Sequence, residues 1–154
     1  MAIFGLAFSM GVVAGLRAMT AAAALSWAAR AGLLELRHTW LEFLGHAATP
    51  WILAALAIAE LVRDQMPSTP SRRAPAPFGA RLVVGAVAGA ALGSLVRRWS
   101  GGMLVGVAGA VVGTLGGHAA RAHLSSALGR DRPAALVEDA VAVAGASLII
   151  AALT

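Results

Sequence analysis

At 154 residues, 59% hydrophobic and 12% charged, with a mean hydropathy of +0.80, the chain is unlike a soluble domain, in which about a quarter of residues are charged. It reads as an integral membrane protein: at roughly 20 apolar residues per crossing it has room for about four to six helices and for no separate soluble domain. The net charge of +5 comes from arginine alone, and the lack of cysteine excludes disulfides, thiolate metal sites and a thiol nucleophile.

The first apolar segment runs from about Ala2 to Ala29. Its opening, "MAIFGLAFSMGVVAG", has no basic stretch of the kind that begins a signal peptide, so it reads as a retained helix. An unbroken helix of that length would reach about 42 Å, beyond a hydrocarbon core of roughly 30 Å. It must therefore tilt, protrude or break, and Gly11, Gly15 and Arg17 mark the place for a break. Residues 30–48 are too charged to span. On a 3.6-residue period Leu33, Leu36, Trp40 and Leu44 share one face and Glu35, His38 and Glu42 the other, which predicts an amphipathic helix at the interface.

The second segment, from about Pro50 to Val62, ends in "AELVRDQMPSTPSR". Residues 66–80 then form a Pro/Arg-rich loop, stiffened by Pro67, Pro70, Pro75 and Pro77. Beside a membrane, its Arg72 and Arg73 suit anionic lipid headgroups better than nucleic acid. Three further segments follow, from about Leu82 to Val96, Gly102 to Ala120 and Ala134 to Leu153. None alternates apolar and polar residues as a β-barrel strand does. The fold class is thus a single all-α transmembrane domain over residues 1–154, with about five spanning helices, the first broken near Gly15 and Arg17, and one interfacial helix.

Five spans would put the loops after segments two and four on the same side as the N-terminus. Those loops hold Arg63, Arg72, Arg73, Arg81, Arg121, Arg130 and Arg132, against Arg30, Arg37, Arg97 and Arg98 opposite. The positive-inside rule then favours a cytoplasmic N-terminus.

Glycines recur every fourth residue at Gly85, Gly89 and Gly93, and again at Gly109, Gly113 and Gly117, with Gly102 and Gly106 one frame earlier. Such flat stripes let two helix backbones approach closely, which predicts helix packing within the chain or across a homo-oligomer, with a dimer favoured.

Function rests on charges placed at membrane depth. Arg17 lies mid-segment and needs a partner or water. Glu60 and Asp64 are four residues apart on one helix face; Glu138 and Asp139 open the last segment and Arg81 the third. Together these six residues form the candidate substrate or ion site, with Glu60 and Asp64 expected to face Arg17.

The stretches "GVVAGLRAMTAAAALSWAA", "AELVRDQMPSTPSRRAPAPFGARLVVGAVAGA" and "RPAALVEDAVAV" together resemble the small bacterial membrane proteins catalogued as domain of unknown function 4126. The resemblance spans nearly the whole chain. It falls on Gly15, Leu16 and Arg17, on Glu60, Asp64 and Pro67, on Arg72, Pro75 and Arg81, and on Glu138 and Asp139. Gln65 stands where the family pattern has lysine. The resemblance implies an integral membrane protein and carries no assigned activity.

No chemistry-bearing motif stands against a non-enzymatic reading. The four histidines do not form a metal-ligand pattern, "GxSxG" is absent, and "GTLGG" lacks a P-loop ending. No cofactor or metal is therefore expected. Two functions remain: a transporter, channel or lipid-translocating protein working through the Arg/carboxylate site, or an accessory scaffold that packs through its glycine stripes.

Overall fold

The computed structural model describes residues 1–66 and 75–154, and the regular elements among them are all helices. Six α-helices follow one another: α1 (Ala2–Leu16), α2 (Ala18–Arg30), α3 (Thr49–Arg63), α4 (Pro75–Ser94), α5 (Trp99–Leu128) and α6 (Asp131–Ala151), with a short 3-10 helix over Glu42–Gly45. Among them α4, α5 and α6 are long and apolar enough to cross a membrane, whereas α1 is a shorter apolar helix.

The first segment does break at Arg17, the only residue between α1 and α2, whose backbone is extended at φ −141° and ψ 98°. The break reverses the chain. Phe4 lies over Gly101 at the start of α5, Gly11 against Gly106 and Gly15 against Thr114, so α1 climbs alongside α5. Beyond Arg17 the chain descends again: Met19 shares a cavity with Arg81, and Leu25 shares another with Val87 and Ala88 further down α4. α3 then returns antiparallel to α2, with Trp51 against Trp27 and Glu60 against Ala18. The six helices alternate in direction, and α1 with α2 forms a hairpin whose tip is Arg17. The break expected near Gly15 and Arg17 thus takes the form of a re-entrant pair rather than of one bent span. The N-terminus consequently lies beside Val96 and Arg98, at the end opposite Asp64 and Arg121, and not with the arginine-rich loops.

Glycine holds the centre together. Gly85, Gly89 and Gly93 of α4 meet Gly102 and Gly106 of α5, while Gly109 and Gly113 of α5 meet Phe8 and Val12 of α1. A Cβ at Gly89 would be driven into the carbonyl oxygen of Gly102, and one at Gly106 into that of Gly85. Only residues without a Cβ allow backbones this close, where dispersion and weak contacts act in place of a hydrophobic drive. The two stripes read from sequence are thus filled by helices of the same chain, and α5 presents one glycine face to α4 and another to α1. Gly117 is also buried. A partner helix cannot dock on these stripes without displacing a helix of the chain.

Residues 31–48 do not form the expected amphipathic helix. α2 stops where Gly32 takes φ +80°, and His38 also has a positive φ, so an extended helix cannot pass through. The Glu42 carboxylate accepts the His38 N–H, and Leu34, Leu36, Leu41 and Leu44 all point into the core from turns and the 3-10 helix. Core packing, rather than a single helical face, decides this segment. Trp40 stays outward, as an interfacial residue should.

All four tryptophans gather at this end, Trp27 edge-on to Trp51 at 5.0 Å and Trp40 edge-on to Trp99 at 6.3 Å. Such a belt marks a membrane–water interface. About 33 Å of helix separates Trp99 from Arg121 on α5, close to one hydrocarbon thickness. Between these levels the outer faces carry exposed Ile52, Leu56, Ile58, Val83, Leu104, Val112, Val141 and Leu148. An apolar surface on every side fits a lipid surround.

Candidate functional site

Breaking a helix at Arg17 leaves backbone groups that cannot reach their usual partners, and in lipid each must be satisfied by protein. The N–H groups of Ala18 and Met19 lose their acceptors one turn back. Glu60 of α3 replaces both, its two carboxylate oxygens accepting from Ala18 N at 3.1 Å and Met19 N at 2.9 Å. At the other side of the break the Gly15 carbonyl would be orphaned. It accepts from Arg81 Nη1 of α4 at 3.1 Å and from Thr114 Oγ1 of α5 at 3.2 Å. Three helices therefore close what one residue opens.

Arg17 itself is fully buried. Its Nε donates to Asp139 Oδ1 of α6 at 2.6 Å, its Nη2 pairs with the same carboxylate, and its Nη1 pairs with Asp64 at the end of α3. One guanidinium fork thus ties the hairpin tip to two other helices. Arg17 sits at the level of Thr114, about 22 Å along α5 from the tryptophan end and about 10 Å short of Arg121. It lies between these two levels, nearer the arginine-rich end.

A second group caps the first. Arg121 donates to the Asp64 carbonyl at 3.2 Å, holds Asp131 through Nε at 2.9 Å and Nη2 at 2.6 Å, and lies 3.8 Å from Glu138. Of the six residues singled out in the sequence, Arg17, Asp64 and Asp139 form one ion cluster. Glu60 and Arg81 bond the broken backbone, and Glu138 lies near Arg121. Arg72 and Arg73 lie outside the described residues. Thr114 and Arg121 were not among the candidates. Thr114 was legible as the one hydroxyl within the glycine run of α5, and Arg121 as a cation one helical turn after His118 with Asp131 beyond the helix end.

Beside the cluster is a cavity of about 450 Å³ lined by Ala18, Met19, Leu56, Glu60, Arg63, Asp64, Ala80 and Arg81, among others. It borders α2, α3 and α4. A family model described as the glycine zipper 2TM domain matches residues 81–121. That span is α4 from Arg81 onward and α5 as far as Arg121, so the glycine zipper is the antiparallel pair in which Gly85, Gly89 and Gly93 meet Gly102 and Gly106. The matched zipper begins and ends on two arginines that serve the charged region. No curated protein and no solved structure shows a match to the chain.

Proposed function

We infer that this chain is a non-enzymatic, multi-pass transport protein of the bacterial inner membrane, whose substrate or ion site is the charged cavity beside Arg17. The observation that carries the reading is a fully buried arginine, paired with aspartates from two helices at the tip of a hairpin, next to a cavity lined by both signs of charge. Ionisable groups at membrane depth are costly, and they mark solute or ion paths more often than simple packing sites. Arg17 and its carboxylates would move between states as a solute competes for one of them. The resemblance to the domain of unknown function 4126 family falls on the same residues.

With Arg63, Arg81, Arg121, Arg130 and Arg132 at one end, and Arg72 and Arg73 in the sequence between α3 and α4, the positive-inside rule makes that end cytoplasmic. Both termini then face away from the cytoplasm.

The alternative is an accessory subunit in which the ion cluster fixes helix register, a reading favoured by the complete burial of Arg17. Proteoliposome flux assays with protons, alkali cations, chloride and small organic anions separate the two. Transport predicts a wild-type flux that Ala80→Trp, which fills the cavity from an exposed position, abolishes at unchanged fold. Absence of flux for every solute favours the accessory subunit.

A further inference from the structure

The α-helices are not held alike. α1, α2, α4, α5 and α6 each bury at least six residues, whereas α3 buries Pro50 alone. Among the described residues α3 packs chiefly on α2 and the 3-10 helix, and the charged cavity separates Leu56, Ala59 and Arg63 from Ala76, Pro77 and Ala80 of α4. Elements with so little buried surface are the ones that open locally. The two ends of α3 are also fixed by different forces. At the tryptophan end Pro50 is buried, Trp51 lies edge-on to Trp27, and Thr49 Oγ1 donates to the Phe43 carbonyl at 2.7 Å. At the arginine-rich end the ties are polar: Glu60 accepts from Ala18 N and Met19 N, Asp64 pairs with Arg17, and the Asp64 carbonyl accepts from Arg121.

We propose that α3 is a lateral gate, an arm that swings about Pro50 and Trp51 and is latched shut by Glu60 and Asp64, so that opening widens the cavity on its α4 side. The bonds made by Glu60 and Asp64 define the closed state. An arm of about 20 Å from Pro50 to Asp64 that swings by about 15° carries its tip about 5 Å, out of hydrogen-bond reach of every latch partner. The rest of the molecule tolerates that release. Arg17 keeps Asp139 of α6, so its charge is not stranded, and the Gly15 carbonyl keeps Arg81 and Thr114. Ala18 and Met19 line the cavity, so water entering it replaces Glu60 on their N–H groups. Polar bonds beside water exchange in this way at small net cost, whereas the buried proline and the tryptophan pair have no such substitute, which makes the tryptophan end the hinge. The inference rests on the transport reading for what the opening admits, and on the packing of α3 for the motion itself.

The test is pulsed electron–electron distance measurement between spin labels in lipid nanodiscs. The latch end is read by Val62→Cys with Val83→Cys, the hinge end by Ile52→Cys with Val83→Cys, and the bundle by Val83→Cys with Leu148→Cys, all at exposed positions. Each pair is measured in the otherwise native chain, with Asp64→Asn and with Glu60→Ala. Both latch variants are expected to add a latch-end population about 5 Å longer, with a shift less than half as large at the hinge end and none in the bundle pair. Glu60→Ala leaves Arg17 paired with both aspartates, so it decides the matter if Asp64→Asn fails to fold. A latch-end distance unchanged in the folded variants, or a hinge-end or bundle distance that moves as far, overturns the proposal. The liposome assay remains independent: motion of α3 without flux of any solute removes the transport reading alone, and flux with α3 immobile removes the gate alone.

Discussion

At the scale of single residues, Arg17 decides the architecture of the hairpin tip. A buried ion pair is weak evidence of net stability, because desolvation offsets much of the attraction, yet removing one partner strands a charge. Asp139→Ala is therefore expected to cost about 3–5 kcal/mol in detergent unfolding. Arg17→Met alone strands two aspartates. The triple change Arg17→Met, Asp64→Asn, Asp139→Asn, which removes all three charges, should unfold later than Arg17→Met; earlier unfolding of the triple variant would remove electrostatics as the reason. Glu60 belongs to a different class of interaction. Its carboxylate caps two orphaned N–H groups, so Glu60→Ala is expected to cost about 1–2 kcal/mol by the same measurement, and its loss should simply add to that of Gly15-side changes such as Thr114→Val. A synergistic loss would show that the two sides of the break are not independent.

Helix packing supplies a sharper contrast at the scale of elements. Gly89 and Gly106 face backbone across the zipper, whereas Gly116 meets nothing within 4 Å. Gly106→Val is expected to prevent folding in detergent, measured as loss of the monodisperse peak in size exclusion. Gly116→Ala is expected to be neutral or stabilising by up to about 1 kcal/mol, through helix propensity alone. The helices and the glycine periodicity were legible in the sequence because both follow from local pattern. Which helix each stripe faces was not, since Gly102, Gly106, Gly109 and Gly113 lie on one helix and serve two neighbours. Residues 31–48 misled for a related reason: a 3.6-residue pattern of leucines also arises when turns aim each leucine inward separately. Likewise Glu60 and Asp64 share a helix face, so spacing could not reveal that one meets backbone N–H groups and the other a guanidinium.

For the molecule as a whole, the hairpin governs everything placed around it: it carries Arg17 to the two aspartates, brings Glu60 to the break, puts the cavity on the arginine-rich side and returns both termini to the tryptophan side. Had α1 and α2 run on as one span, the N-terminus would share an end with Asp64 and the α5–α6 turn. Charge counting from sequence could not detect the reversal, because it hinges on one residue with an extended backbone. The chain contains no cysteine, so single cysteines report sidedness without background. The most direct measurement is labelling of Ala2→Cys, Ala47→Cys, Arg98→Cys and Gly129→Cys in intact cells with a membrane-impermeant maleimide. The hairpin predicts that the first three label together and Gly129→Cys only after the membrane is opened; labelling of Ala2→Cys with Gly129→Cys, and apart from Arg98→Cys, would contradict it.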